Sequence, residues 1–248
     1  MAAVPYKKSR QSKKGQVEEM FNNISPKYDL LNHLLSANVD KIWRRETINR
    51  LKRFNPETII DVATGTGDFA IAATKISGAK IIGIDISEGM LEVGRAKISK
   101  RGLTGKIDLQ KADSENLHFE NQSFDAAIVG FGVRNFENLT QGLSEIFRVL
   151  KPGGVFFVLE FSKPKKWPVK QLYKFYFSKI LPAVGRMVSK DANAYTYLPE
   201  SVNEFPDGDK FLSILAEVGF TENKSYPQTF GIATVYEAHK TNKKGVKQ

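Results

Sequence analysis

The chain has 248 residues, 41% of them hydrophobic, which suits one domain with a sizeable core. It contains no cysteine, which excludes disulfides, thiolate catalysis and cysteine-ligated metals, and its three scattered histidines, His33, His118 and His239, suggest no metal site. The net charge of +10 sits almost wholly in the tails, on Lys7, Lys8, Arg10, Lys13 and Lys14 at one end and Lys240, Lys243, Lys244 and Lys247 at the other. The body is therefore close to neutral, and nucleic acid is not the expected partner.

The expected organisation is a basic disordered tail over 1–15, a single domain over 16–240 and a second basic tail over 241–248. No apolar run follows the basic N-terminus, and none approaches the roughly 18 residues of a membrane span. A cytoplasmic protein is expected.

In chain order, Val17, Met20, Phe21 and Ile24 recur at helical spacing and predict a short amphipathic helix ending before Pro26. A second helix is expected from about 42 to 54. Strands and helices then alternate: strand near 58–62, helix near 68–77, strand near 80–84, helix near 88–101, and strand near 106–111. A further strand over 124–130 and a helix over 139–150 precede a strand over 155–161. That alternation implies a mostly parallel sheet with helices on both faces and a ligand crevice at the carboxyl ends of its strands.

Between Lys163 and Lys190 the rhythm breaks. Lys163, Lys165, Lys166, Lys170, Lys174, Lys179, Arg186 and Lys190 interleave with Trp167, Tyr173, Phe175, Tyr176 and Phe177, with no acidic residue. Val169, Leu172, Tyr173, Tyr176 and Ile180 fall at helical spacing, so a basic, aromatic-rich helix is predicted. It serves either as an insertion packed on the sheet or as a lid or membrane-facing element. One more helix, through Leu212, Leu215 and Ala216 and closed by Gly219, precedes two extended segments near 224–230 and 232–238. The count comes to seven strands, with a helical insertion over 163–206 after the fifth.

The first strand runs into Asp61-Val62-Ala63-Thr64-Gly65-Thr66-Gly67-Asp68. Gly65 and Gly67 permit a sharp bend and close approach to a ligand, while the following helix start offers unpaired N–H groups. Asp85, 18 residues past Gly67 at the end of the next strand, can take both hydroxyls of a ribose. Asp61 just before the turn would repel a pyrophosphate but suits a cation. Ala112-Asp113-Ser114 follows the third strand, where an adenine edge can be met. Lys151-Pro152-Gly153-Gly154 has the proline and glycine of a type II turn.

Together these features resemble the class I S-adenosylmethionine-dependent methyltransferases, with their Rossmann-like α/β fold. A narrower resemblance rests on Tyr28-Asp29-Leu30-Leu31-Asn32, Phe131-Gly132-Val133-Arg134-Asn135 and Leu159-Glu160-Phe161-Ser162-Lys163-Pro164. It extends to the run from Asp191 to Ser201 and to Phe205-Pro206. These segments are similar to the ubiquinone/menaquinone biosynthesis C-methyltransferase family. The resemblance implies methyl transfer from S-adenosylmethionine to a ring carbon of a polyprenyl quinol, either demethylmenaquinol, the favoured substrate, or a ubiquinol precursor. A polyprenyl tail lives in a bilayer, so peripheral contact with an anionic membrane is expected.

The resemblance places cofactor contacts on Thr66, Asp85, Asp113 and Ser114. Asp61, Gly65 and Gly67 belong to the same candidate site by the turn argument. At Gly130 many relatives carry a serine, so only backbone contact is expected there. Arg134, beside Asn135 at a strand's carboxyl end, is expected to stabilise a developing phenolate, and Tyr28 to orient the quinol or shield the sulfonium.

Overall fold

The computed structural model describes residues 3–30, 36, 38–180 and 193–241. Leu31, Asn32, Arg186, Lys190, Asp191, Ala192 and the C-terminal segment 242–248 lie outside the described residues. The chain begins with α1 (Lys13–Ile24) and α2 (Val39–Leu51), followed by β1 (Thr58–Val62), α3 (Asp68–Ala73), β2 (Lys80–Asp85), α4 (Glu88–Lys100) and β3 (Ile107–Lys111). Then come β4 (Phe124–Gly130), α5 (Leu139–Val149) and β5 (Leu150–Phe161). Last are α6 (Val169–Phe175), α7 (Asn193–Glu204), α8 (Asp209–Val218), β6 (Thr221–Gln228) and β7 (Ala233–His239).

The strands form one seven-stranded sheet in the order β3-β2-β1-β4-β5-β7-β6. The first five run parallel, and β7 is antiparallel to both β5 and β6. The expected α/β architecture is present, and the strand order reverses between β1 and β4. In such sheets that reversal opens a crevice at the strands' carboxyl ends.

Alternation along the central strands assigns each residue to a face. Ile59, Ile81, Ile128 and Phe157 meet Trp43, Leu51, Phe69, Leu91 and Ile98 from α2, α3 and α4. On the other face Ile60, Ile84, Val129 and Phe156 meet Leu143, Ile146, Phe211 and Leu215 from α5 and α8. Because β1, β4 and β5 are covered on both sides, their sequences read as apolar runs with few polar interruptions. Asp61 and Glu160 are two of those interruptions, and both are fully buried.

A third, smaller cluster lies over the crevice. Val17, Met20 and Ile24 of α1 pack with Ala3, Met90, Ala194 and Tyr197, with Tyr28, Tyr176 and Phe177 against them. The segment read from sequence as a disordered tail is therefore ordered from residue 3 onward. Ala3 is buried, the Tyr6 N–H donates to Gln16 Oε1 at 2.9 Å, and Lys7 pairs with Glu200 at 2.6 Å. Ser12 caps α1 by accepting from the Gly15 N–H. The basic residues of this stretch mask a few apolar anchors and find acceptors on the domain. The basic helix is present over the span of its periodicity, with α6 passing at Tyr176 into a wider helical turn that runs to Ile180. No helix among the described residues is long and apolar enough to cross a membrane.

Gly94 lets α4 lie against the glycine turn. A Cβ there would stand 2.7 Å from Leu109 Cδ1 and 3.1 Å from the Thr66 carbonyl carbon. Gly94→Ala is therefore expected to destabilise the protein by about 1–3 kcal/mol through overpacking, despite alanine's better helix propensity. Urea denaturation reads this directly, and an unchanged or raised midpoint would show that the helix can retreat without cost.

Candidate active site

A narrow cavity of about 70 Å³ sits at the carboxyl ends of β1, β2 and β4. Gly65, Asp85, Asp113, Ser114, Gly130 and Tyr28 all line it, and α1 closes it from above with Lys14, Val17 and Phe21. Asp85 ends β2, and its carboxylate bridges two turns, with Oδ2 accepting from the Gly65 N–H at 2.8 Å and Oδ1 from the Ser87 N–H at 2.9 Å. Burial pushes its pKa up to about 6, against the pull of those N–H donors.

Asp61 lies just beneath the turn and does not line the cavity. Its Oδ2 accepts from the Thr64 hydroxyl at 2.6 Å, while Oδ1 is buried with no hydrogen-bond partner in bonding geometry. Burial raises this carboxyl to about 7; the Thr64 and Ala70 donors oppose the shift, and the nearby Asp85 charge adds to it. Two acids thus share a crevice that contains too little counter-charge for them.

Gly65 and Gly67 have φ of 56° and 79°, so the turn uses the left-handed region that glycine enters at least cost. Ala63 and Phe131 adopt φ of 55° and 59° without being glycine, and both line the same cavity. Backbone strain of this kind concentrates where a ligand is gripped.

Thr66 and Gly67 also stay outside the cavity lining. The Thr66 hydroxyl donates to Asp29 Oδ1 at 2.5 Å and accepts from Lys97 Nζ at 3.0 Å. Lys97 pairs in addition with Asp29 at 2.6 Å and with Asp68 at 2.7 Å. This network ties the turn to α4 and to the residue that follows Tyr28. Asp113 keeps one oxygen on the Glu115 N–H and the other on Lys14 at 2.7 Å. Gly130 presents bare backbone, since a Cβ there would stand 2.8 Å from Phe69 Cδ1.

A second cavity, about 530 Å³, abuts the first, and Phe21, Tyr28 and Phe131 line both. Its walls are mainly apolar and aromatic, including Ile24, Trp43, Phe161, Leu172 and Phe177. Arg134 reaches into it from the turn after β4. Its Nη1 donates to Glu160 Oε1 at 2.8 Å and to the Phe131 carbonyl, and the guanidinium lies 5.6 Å from the centre of the Phe161 ring. Glu160 is fully buried on β5; burial raises its pKa and Arg134 opposes the shift. Asn135 lines the narrow cavity and accepts the Tyr197 hydroxyl at 3.1 Å. Burial also pushes the phenols of Tyr173 and Tyr197 above their ordinary range, so both stay protonated.

The structure brings together residues that sequence reasoning did not single out. Lys13 Nζ donates to the carbonyls of Phe136, at 2.8 Å, and Arg134, at 3.2 Å, fastening α1 to the turn that carries Arg134. Lys13 and Lys14 were hidden within the basic tail. Glu160 and Tyr197 lay inside the quoted segments but were given no role, and Tyr173 carried only its helical spacing. Trp167, Leu172, Phe175 and Phe230 are exposed at 78%, 65%, 59% and 82%, and Leu172 and Phe230 also line the large cavity. Among the described residues no cluster of histidine and acids is arranged to hold a metal ion.

The ubiE/COQ5 methyltransferase family model matches residues 8–240. The chain is 48% identical over 229 residues to the demethylmenaquinone methyltransferase of Bacteroides fragilis, covering 92% of this chain and 94% of that one. It is 46% identical to the ubiquinone/menaquinone biosynthesis C-methyltransferase UbiE of Geotalea daltonii, covering 92% and 98%. Among solved structures, an S-adenosylmethionine-dependent methyltransferase of Thermotoga maritima, described as a possible histamine N-methyltransferase, superposes with a TM-score of 0.65. At 18% identity, over 90% of this chain and 99% of that one, it shares the fold.

The raised acids give the site a pH signature. A ligand that bonds Asp85 through its hydroxyls and carries a cation above the buried Asp61 favours both carboxylates ionised, so below about pH 7 its binding expels protons. S-adenosylmethionine affinity is expected to fall as pH drops from 7.5 to 5.5, by up to about tenfold per unit for each proton released. Calorimetry in buffers of different ionisation enthalpy counts those protons. An affinity independent of pH, in the wild type and in Asp61→Asn alike, would separate the acids from the ligand.

Proposed function

The chain belongs to the ubiE/COQ5 methyltransferase family, and we propose that it transfers a methyl group from S-adenosylmethionine to a ring carbon of a polyprenyl quinol, converting demethylmenaquinol to menaquinol. One observation carries this reading. A narrow, acid-lined cavity at the strand ends abuts a large apolar one, and Phe21, Tyr28 and Phe131 form the shared wall. Two reactants of opposite character, a charged nucleoside and a greasy ring, thereby meet at one boundary.

The narrow cavity suits the methyl donor. Asp85 is placed for the ribose hydroxyls, Asp113 and Ser114 for the adenine edge, and Gly65 with the Gly130 backbone for close approach. Asp61, buried beneath the turn, favours a cationic ligand through its charge without touching it, and Thr66 and Gly67 act by shaping the turn. S-adenosylmethionine, when bound, supplies an electrophilic methyl on a sulfonium.

On the other side, a quinol ring carbon becomes a competent nucleophile as its neighbouring hydroxyl loses a proton, a group with an ordinary pKa of about 10. Arg134 stabilises the resulting quinolate oxygen. Glu160 balances the Arg134 charge while the site is empty of anion, and Asn135 with Tyr197 fixes the turn. Tyr28 lies at the boundary, where it can shield the sulfonium with its ring face and press the quinol into register. A carbon–methyl bond forms as the sulfur–methyl bond breaks, and the ring proton then passes through water to the ring oxygen, restoring the aromatic quinol, so that the one proton released overall is the one lost at ionisation.

Exposed Trp167, Leu172, Phe175 and Phe230, with Lys166, Lys170 and Lys174 exposed on the same segment, support a docking face for an anionic bilayer at the mouth of the apolar cavity. The prenyl tail would leave by that mouth. Salt-sensitive flotation with vesicles rich in phosphatidylglycerol is expected, and recovery of all protein in the unbound fraction would remove the membrane from the account.

The activity is tested with methyl-labelled S-adenosylmethionine offered, in separate reactions, to demethylmenaquinol, a ubiquinol precursor and RNA. Label is expected in menaquinol. Arg134→Lys, which preserves a charge for Glu160 but not the guanidinium fork, is expected to lower turnover by at least about tenfold with cofactor affinity retained. Label appearing only in the ubiquinol precursor or in RNA would replace the substrate assignment.

A further inference from the structure

Trp167, Leu172, Phe175 and Phe230 are exposed apolar side chains of two kinds. Trp167 and Phe175 do not line the large cavity, whereas Leu172 and Phe230 line it while remaining open to solvent. A side chain of the second kind belongs to the rim and is placed to touch whatever leaves the cavity. Phe230 is the more open of the two, and it is the one whose backbone is strained.

Phe230 sits at the tip of the hairpin that joins β6 to β7, where Gln228 pairs with Ala233 and residues 229–232 make the loop. Thr229, Phe230 and Gly231 follow one another with φ of 42°, 57° and 88°. Left-handed backbone at a hairpin tip is ordinarily supplied by glycine, asparagine or aspartate, because a β-branched or bulky residue crowds its own chain there. The tip is nevertheless fixed. Thr229 Oγ1 accepts from Trp43 Nε1 at 2.8 Å, and the Gly231 carbonyl accepts from the Ser162 hydroxyl at 2.9 Å. The Ile232 N–H closes the loop on the Gln228 carbonyl at 3.1 Å. Trp43 and Ile232 are themselves part of the cavity wall, so the tip is fastened to the cavity that its ring overlooks.

For stability alone, position 230 breaks two rules at once. A phenyl ring is left in water, and it is carried on a conformation that asparagine or glycine enters more readily. Strained backbone that its surroundings hold in place is characteristic of ligand clamps. At 82% exposure the protein covers little of the ring, and a hydrocarbon chain laid against it would offset the loss to solvent. The cavity behind it is mainly apolar and aromatic, so what passes the rim is hydrocarbon. A quinol with a tail longer than the cavity must send that tail past Phe230 and Leu172.

We propose that Phe230 is a substrate-binding residue for the prenyl tail. The fixed β6–β7 tip holds its ring at the rim, where it takes the part of the tail that lies outside the cavity and so favours long-tailed quinols over short-tailed ones. The proposal rests on the quinol reading of the large cavity. Trp167 and Phe175, which do not line the cavity, are left to the bilayer.

Phe230→Asn removes the ring and keeps a residue suited to left-handed backbone, so Tm is expected to hold or rise. A clear fall would show that the ring is packed within the protein and would overturn the proposal. Dissociation constants are then measured anaerobically in lipid-free buffer at one fixed concentration of mild detergent, with S-adenosylhomocysteine present so that no reaction occurs. The two ligands are demethylmenaquinols carrying one and four isoprene units.

Phe230→Asn is expected to bind the four-unit quinol about fivefold more weakly than wild type and the one-unit quinol to within about twofold of it, while Phe230→Leu recovers most of the loss. Equal losses for both ligands would place Phe230 at the ring and not at the tail. An unchanged affinity for the four-unit quinol, with flotation on phosphatidylglycerol vesicles weakened, would assign the side chain to the bilayer; with flotation also unchanged, it would assign it to no ligand. Each of these outcomes overturns the proposal. If wild-type protein binds neither quinol and labels none, the quinol reading itself fails, a result distinct from the failure of Phe230 alone.

Discussion

Asp61 and Asp85 are buried at the ends of adjacent parallel strands, one beneath the glycine turn and the other at its rim. Two carboxylates in so dry a place are costly, and the surrounding structure is organised around that cost. Gly65 bends so that its N–H meets Asp85, Ser87 opens α4 with another N–H on the same carboxylate, and Thr64 turns its hydroxyl onto Asp61. The remaining imbalance is one orphaned oxygen and two raised pKa values, which a cation bound as proposed would relieve. The same residues would disfavour a pyrophosphate, which separates this crevice from the dinucleotide sites its glycine spacing imitates.

The second constraint is the buried pair of Arg134 and Glu160. These residues lie 26 positions apart and meet because β4 and β5 run side by side, with Gly130 opposite Leu159. A charge pair of this kind contributes little net stability and often less than an apolar replacement. Its presence beside an apolar cavity fits the proposed chemistry, in which it holds a guanidinium ready for an oxygen that becomes anionic. The cap of α1 and α7 completes the enclosure, with Lys13 latched to the turn that carries Arg134 and Tyr197 bonded to Asn135.

Much of this was legible in the sequence, for identifiable reasons. Strands covered on both faces write themselves as apolar runs such as Thr58-Ile59-Ile60, and a glycine turn between strand and helix has few other physical uses. Asp85, Asp113 and Ser114 follow from their places after strands, Gly130 and Tyr28 from the family resemblance, and all five line the narrow cavity. What spacing cannot encode is the direction in which a side chain turns within a loop. Thr66 faces Asp29 and Lys97 instead of the cavity for that reason. Nor does local pattern reveal partners distant in sequence, so the ordered N-terminal segment, the charge partner of Arg134 and the setting of Tyr173 emerged only with the fold.

Methyl donor and quinol, as proposed, occupy the two abutting cavities and react across the wall formed by Phe21, Tyr28 and Phe131. A crystal structure of the protein with S-adenosylhomocysteine and demethylmenaquinone tests it most directly. The sulfur is predicted at the Gly65 and Tyr28 end of the narrow cavity, with the ring in the apolar cavity against Arg134 and its unsubstituted carbon turned toward the sulfur. A ring bound elsewhere on the surface, or seated with that carbon facing away across the aromatic wall, would contradict it.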